Sequence, residues 1–228
     1  MKVLIVGASG MVGQGVLREC LLASDVSEVL LLGRTPIANT HPRLRQLVHS
    51  DLFDVGAFEA ALTGIDACFY CLGVSSAGLR EATYSQLSYT LTLAIAGALA
   101  RHNPALTFCY VSGAGTDSSE RGRSMWARVK GRTENALQAL PFAAVYLFRP
   151  GIIQPLHGSQ SKTPSYRRFY QWTRPLLPLL KRCFPRAILT TEEVGLAMLN
   201  AARRGSGRFV LESRDIAALA ANSQQSGR

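Results

Sequence analysis

Three glycines spaced three residues apart constrain the fold of this chain more than any other feature. They follow a β-branched run at 2–6 and open an amphipathic pattern at 11–23 that is typical of a helix. Glycine permits a tight turn and a close approach of phosphate to the backbone, and the following helix offers free N–H groups. The spacing, G-x-x-G-x-x-G rather than G-x-G-x-x-G, predicts a nucleotide-binding turn, with a ligand-free tight turn as the alternative. The expected cofactor contacts here are Gly7, Ser9, Gly10, Met11, Val12 and Gly13.

The first 150 residues alternate apolar runs with helical patterns. The apolar runs lie at 2–6, 29–32, 46–49, 67–72, 106–111 and 143–148, and the helical patterns at 11–23, 54–62, 82–101 and 124–140. Near-continuous apolar strands separated by helices predict an α/β fold: a doubly wound parallel sheet of Rossmann type, covered on both faces.

The length of 228 residues predicts one domain over 1–228. Thr190 and Glu193 form the pattern of a capping box at the start of a closing helix. We expect four parts: a dinucleotide-binding core at 1–150, a small substrate or lid segment at 151–189, a closing helix and strand at 190–221, and a disordered tail at 222–228.

Basic residues exceed acidic ones by 25 to 15, and the excess is local. No acidic residue occurs between 135 and 191, whereas that stretch holds eight basic ones: Arg149, Lys162, Arg167, Arg168, Arg174, Lys181, Arg182 and Arg186. A local surplus in the lid segment favours an anionic small-molecule substrate over nucleic acid, because no nucleic-acid-binding motif accompanies it. The alternative is a general arginine enrichment, since the chain has 21 Arg and 4 Lys.

The five cysteines, without a secretory signal, indicate reduced thiols and a cytoplasmic protein. Cys68 and Cys71 match C-x-x-C, but in a strand they would lie on opposite faces, which argues against a redox or metal role. The four histidines show no metal-ligand spacing, so no metal is expected. No apolar run reaches the roughly 20 residues of a membrane span.

The second predicted strand ends at Arg34, where an acidic side chain would favour the free ribose of NAD. A guanidinium suits a 2′-phosphate instead, so the sequence predicts NADP rather than NAD, with Arg43 and Arg45 as candidate helpers. Two further strand ends face the same crevice of a doubly wound sheet. They add Asp51, Leu52, Leu72 and Gly73 to the expected cofactor contacts.

The run to about residue 149 resembles the short-chain dehydrogenase/reductase superfamily. It is most similar to the atypical or extended branch of NAD(P)-binding, epimerase-like proteins that includes the Tat-interacting tumour suppressor group. The matching pieces are GASGMVG at 7–13, LLGR at 31–34, FYCLG at 69–73, YVSGAG at 110–115, VKGRTE at 129–134 and LFRPGII at 147–153. The resemblance implies an oxidoreductase or an epimerase-like enzyme. It assigns catalytic roles to Ser112 and Lys130, both also cofactor contacts, and a nicotinamide border to Pro150, Gly151 and Ile152.

One position departs from the superfamily pattern. The catalytic tyrosine is expected four residues before the lysine, one helical turn away, and Trp126 stands there. Indole has no ionisable hydroxyl, so another group must supply the proton or the chain is not catalytic. The candidates for that group are Ser112, Ser124, Tyr84, Tyr89, Tyr166, Tyr170 and water.

The expected substrate-side residues are Trp126, Tyr166, Arg167 and Tyr170. The sequence leaves three hypotheses open: an NADP-dependent oxidoreductase, a non-catalytic NADP(H)-binding redox sensor or partner-binding regulator, and a nucleotide-binding scaffold with peripheral membrane contact. An amphipathic lid with a solvated face is the plainer interpretation of 151–189. The resemblance also makes a homodimer through the helices at 82–101 and 124–140 an alternative to a monomer.

Overall fold

A computed structural model describes residues 1–159 and 188–221 of the chain. Seven parallel strands form its central sheet, in the spatial order β3-β2-β1-β4-β5-β6-β9. These strands are β1 (Lys2–Val6), β2 (Glu28–Gly33), β3 (Leu44–Val48), β4 (Ala67–Tyr70), β5 (Thr107–Val111), β6 (Ala144–Arg149) and β9 (Val210–Glu212). Two further strands, β7 (Ile152–Gln154) and β8 (Ile188–Thr190), pair in parallel beside it.

Helices cover both faces of the sheet. They are α1 (Met11–Leu22), α2 (Glu81–Ser85), α3 (Leu91–His102), α4 (Met125–Gln138), α5 (Thr191–Arg204) and α6 (Ser213–Ala221). A π-helical turn, Gln86–Thr90, joins α2 to α3 without a break in the helical path. None of the described helices is long and apolar enough to cross a membrane.

Alternate strand residues build two separate cores. Val3 and Ile5 of β1 pack with α1, α5 and α6, whereas Leu4 and Val6 pack with α3 and α4. This alternation explains why the strands are apolar at nearly every position, since each side chain of a doubly covered sheet is buried.

Helices α1 and α5 approach closely at two glycines. A Cβ on Gly15 would stand 2.6 Å from Thr191, and one on Gly195 would stand 2.8 Å from Glu19. The closing helix thereby packs against the helix that follows the glycine turn. The capping box of Thr190 and Glu193 begins α5, as predicted.

The predicted doubly wound parallel sheet is confirmed, with four local corrections. The region predicted as a helix at 54–62 forms two 3₁₀ turns, Val55–Ala57 and Glu59–Leu62. The predicted helix at 82–101 contains the π-helical turn, the weak strand at 46–49 begins earlier as β3, and α6 was not predicted. The tail at 222–228 and most of the predicted lid, 160–187, lie outside the described residues.

Candidate functional site

The glycine turn lies at the point where the strand order reverses, between β1 and its neighbours β2 and β4. Gly7 has a left-handed φ of 89°, and a Cβ there would stand 2.6 Å from the backbone N of Leu72. A Cβ on Gly13 would stand 2.3 Å from the carbonyl oxygen of Gly7. Gly10 is the N-cap of α1 and provides no side-chain cap, and the first turn of α1 has no acidic residue. The helix therefore presents uncompensated N–H groups at this edge of the sheet.

A first cavity of about 400 Å³ lies beside the turn, at the carboxyl ends of β1 and β2. Its lining includes Gly7, Ser9, Arg34, Leu52 and Leu72. Among the described residues that line it, Arg34 carries the only charge. Arg34 is exposed, and within the described parts of the chain it forms no hydrogen bond or ion pair.

The other predicted polar groups at this end have different partners. The carboxylate of Asp51 accepts the N–H of Phe53 at 2.9 Å, and Asp51 does not line the cavity. Arg43 donates to the carbonyl oxygens of Ala23, Val26 and Leu21, so it caps the end of α1 instead of assisting Arg34. Arg45 lies 3.9 Å from Glu28 and is largely exposed on β3.

A second cavity of about 540 Å³ continues from the first, and Leu72 lines both. The predicted site residues on its wall are Met11, Val12, Leu72, Gly73, Ser112, Trp126, Lys130, Pro150 and Gly151. Ile152, which was also expected at the nicotinamide, does not line this cavity. Neighbouring residues of β7 point to opposite sides, so Ile153 lines the cavity and Ile152 is exposed.

Lys130 is buried and forms part of the wall of the second cavity. Its Nζ donates to the hydroxyl of Tyr110 at 3.0 Å and to the carbonyl oxygen of Val111 at 3.3 Å. Nζ also lies 4.7 Å from the centroid of the Tyr110 ring. Burial lowers the pKa of Lys130, because the charged form loses hydration. An ammonium has three donors, so one remains for a ligand in the cavity.

The hydroxyl of Ser112, a residue of the cavity wall, gives its proton to a neighbouring carboxylate. It donates to Oε1 of Glu134 at 2.5 Å, and the carbonyl oxygen of Phe148 lies 3.2 Å away on the same side. Glu134 is 1% exposed and forms a forked ion pair with Arg149, whose Nε lies 3.0 Å from Oε1. Glu134 raises the pKa of Arg149 through this pair. The Glu134–Arg149 pair was not predicted from the sequence, although both residues lie in segments that carry the family resemblance.

The cysteines and acidic groups form no second reactive site in the described residues. Cys68 belongs to one core and Cys71 packs against the other, as the strand pattern predicts, and burial raises the pKa of Cys71 to about 12. Residues 1–159 and 188–221 contain no group of three His, Cys, Asp or Glu side chains placed to hold a metal ion.

Comparison with known proteins identifies the family. The model described as "NAD dependent epimerase/dehydratase family" matches residues 3–122. The chain belongs to this family. Two curated relatives are similar to it: "Protein FMP52, mitochondrial" of Eremothecium gossypii, 31% identical over 67% of this chain and 66% of that protein, and "Protein HTATIP2" of Rattus norvegicus, 30% identical over 67% and 62%. The chain thus spans slightly less than two thirds of these relatives' length.

Solved structures of the epimerase/dehydratase and short-chain reductase type share the fold. An oxidoreductase of the short-chain dehydrogenase/reductase family from Burkholderia thailandensis superposes with a TM-score of 0.68 at 17% identity, covering 100% of this chain and 98% of that one. A UDP-N-acetylglucosamine 4-epimerase from Methanobrevibacter ruminantium gives 0.68 at 15% identity, covering 92% and 75%. These structures confirm the fold, and the family model confirms the epimerase-like part of the resemblance.

Trp126 lines the second cavity together with Lys130. It lies on α4 one turn before Lys130, and a Cβ on Gly113 or Gly115 would stand 3.8 Å from its ring. Both glycines have left-handed φ values, so the loop after β5 turns sharply beneath the indole. Trp126 thus lines the cavity as an apolar wall. The other predicted substrate-side residues, Tyr166, Arg167 and Tyr170, lie outside the described residues.

Proposed function

We propose that this chain is an NADP(H)-dependent oxidoreductase that acts on a small anionic carbonyl or alcohol substrate. The observation that carries the proposal is the pair of adjoining cavities along the carboxyl edge of the sheet, which meet at the glycine turn and Leu72. Arg34 lies at one end of this path and Lys130 at the other. A dinucleotide has this extended shape, with its diphosphate at the turn.

The residues present fit a nicotinamide dinucleotide. The backbone at Gly7 and Gly13 leaves no space for side chains, and the N-terminus of α1 supplies N–H donors for a diphosphate. The single cationic lining residue of the first cavity, Arg34, supports a 2′-phosphate and therefore NADP over NAD. When bound, the cofactor would donate or accept a hydride at the second cavity.

At the reacting end, Lys130 would hold the nicotinamide ribose through its remaining N–H, as the family resemblance implies. Pro150 and Gly151 would border the nicotinamide. Because the Ser112 proton is engaged by Glu134, the Ser112 oxygen faces a ligand as a hydrogen-bond acceptor.

The anionic substrate class rests on charge. Arg149, the one described member of the eight-residue basic group, is neutralised by Glu134. The other seven lie within 160–187, outside the described residues. They follow β7 in the sequence, and Ile153 of β7 lines the second cavity, which supports an anionic substrate.

A non-catalytic NADP(H)-binding protein is the second candidate, and Trp126 favours it. The indole stands where the resemblance expects the tyrosine hydroxyl, so the usual proton donor is missing. Such a protein would bind the cofactor with the same residues and act as a redox sensor or partner-binding regulator.

Cofactor preference gives the first test. Removal of the Arg34 guanidinium in Arg34→Ala should weaken NADPH binding about 10- to 100-fold, the value of a hydrogen bond to a charged group, and leave NADH binding unchanged. Dissociation constants can be measured by quenching of protein fluorescence. Arg45→Ala is the matched control, because Arg45 lies on the adjacent strand outside the cavity.

An unchanged NADPH-to-NADH affinity ratio in Arg34→Ala would contradict the choice of NADP. NADPH oxidation should then be followed against a panel of small carbonyl compounds with and without a carboxylate or phosphate. Turnover of the anionic members supports the enzyme, whereas tight NADPH binding without turnover across the panel supports the sensor.

We further propose a cytoplasmic location, supported by the free, buried cysteines. The FMP52 relatives are named mitochondrial, which does not fit a cytoplasmic location. Subcellular fractionation distinguishes a cytoplasmic from a mitochondrial location. Flotation with anionic liposomes at low salt tests the membrane-contact alternative, and sedimentation tests the homodimer.

A further inference from the structure

We propose that the Tyr84 hydroxyl is the proton donor of this site, in place of the tyrosine expected at position 126. The inference rests on the proposed oxidoreductase function and names the residue that completes its chemistry. Tyr84 is 2% exposed and lines the second cavity together with Lys130 and Trp126. It belongs to α2, so a different helix would supply the phenol to the same reacting end.

Three other candidates, Ser112, Ser124 and Tyr89, lie among the described residues, and none is placed to donate a proton into the cavity. Ser112 directs its proton to the Glu134 carboxylate, and Ser124 is the exposed N-cap of α4 and does not line the cavity. Tyr89 lies under the guanidinium of Arg132, 4.2 Å from its ring centroid, and is also absent from the wall. Tyr84 is thus the only phenol among the described residues of the cavity wall.

Tyr84 also has the electrostatic partner that a donor of this kind needs. Burial lowers the pKa of Lys130, and Tyr84 and Glu134 oppose that effect. Tyr84 and Lys130 line the same cavity. The π-helical turn begins two residues after Tyr84. Such turns shift the side-chain register of a helix and frequently occur at functional sites.

The proton transfer is balanced with the hydride that the proposed cofactor supplies. The carbonyl carbon of the substrate receives the hydride, and the π electrons of the C=O bond move to the oxygen. That oxygen takes the proton of Tyr84, which leaves a phenolate beside the Lys130 ammonium. The products are an alcohol and the oxidised cofactor, and water restores the phenol proton.

The test compares Tyr84→Phe with Tyr89→Phe, two variants that each lose one hydroxyl. Loss of a general acid should lower kcat about 10²- to 10⁴-fold in Tyr84→Phe, with NADPH affinity unchanged, and Tyr89→Phe should match the wild type. Introduction of the expected phenol in the double variant Tyr84→Phe/Trp126→Tyr should restore turnover. A loss that reflects only structural damage would not be rescued in this way.

A second measurement needs neither cofactor nor activity. The chain has four lysines, so protein labelled with ¹³C at the lysine ε-carbons gives four signals, and Lys130→Met identifies the one of interest. The titration of Lys130 should move to lower pH in Tyr84→Phe and stay in place in Tyr89→Phe, because Tyr84 and Glu134, but not Tyr89, oppose the lowering of the pKa of this lysine by burial.

The outcomes separate the two proposals. Wild-type turnover that survives in Tyr84→Phe, or a Lys130 titration that does not move, overturns the role of Tyr84 and leaves the oxidoreductase intact. Absence of turnover in the wild type with every carbonyl tested removes the oxidoreductase and the donor role together.

Discussion

The individual residues of this site are held in place by hydrogen bonds to neighbouring protein groups. Ser112 and Lys130 are both expected catalytic residues, yet each is bound on its protein side, to Glu134 and to Tyr110 respectively. A buried carboxylate such as Glu134 is stable only when it is paired and hydrogen-bonded, and Arg149 with Ser112 meets that need. The Glu134–Arg149 ion pair therefore holds Ser112 in place on the wall of the second cavity.

Removal of the Glu134 charge should expose this dependence. In Glu134→Gln, the half-buried Arg149 loses the charge of its main partner, and the free energy of unfolding should fall by about 1–3 kcal/mol in urea denaturation. Glu81→Gln is the control, since Glu81 is 52% exposed and its contact with Arg128 at 2.7 Å is solvent-screened. Equal losses in the two variants would show that the Glu134–Arg149 pair has no special structural role.

At the scale of elements, hydrophobic patterns in the sequence predict the strands and helices whose positions depend on the burial of apolar side chains. The six predicted strands were recognisable because a doubly covered sheet requires apolar residues at nearly every position of its central strands. The capping box of α5 was recognisable from its residue spacing. The π-helical turn and the 3₁₀ turns were not, because their registers depend on packing against neighbouring elements. In the same way, the family resemblance predicted Ser112 and Lys130 at the site, but it could not show that Arg43 caps α1 or that Ile153 rather than Ile152 lines the second cavity.

The glycine turn gives a prediction about an element. A methyl group on Gly13 would stand 2.3 Å from the Gly7 carbonyl oxygen, and a backbone atom cannot move aside as a flexible side chain can. Gly13→Ala should therefore lower stability by about 1–3 kcal/mol, as overpacking does, and abolish NADPH binding. Gly207→Ala is the matched control, because nothing lies within 4 Å of a Cβ there. Wild-type NADPH affinity in Gly13→Ala would mean that the turn does not hold the diphosphate.

At the scale of the whole molecule, the topology brings the two ends of the site together. The order β3-β2-β1-β4-β5-β6-β9 places Arg34 after β2 on one side of the switch point. It places Lys130 and Ser112 on the other side, beside β4 and β5. Residues almost 100 positions apart in sequence thus share one edge of the sheet. A ligand that spans both cavities would connect the halves of the fold, whereas a ligand confined to one cavity would not.

Thermal unfolding with two ligands tests whether the cavities form one site. NADPH at 100 times its dissociation constant should stabilise the protein by about 2.7 kcal/mol. Adenosine 2′,5′-bisphosphate has only the adenosine end of the cofactor, so at the same concentration it should give a smaller stabilisation. Because Arg34 would contact the 2′-phosphate of both ligands, Arg34→Ala should reduce both effects. Lys130→Met should reduce only that of NADPH, because the bisphosphate ends before the second cavity. If Lys130→Met weakens both ligands equally, or neither, the two cavities are not the two ends of one cofactor site.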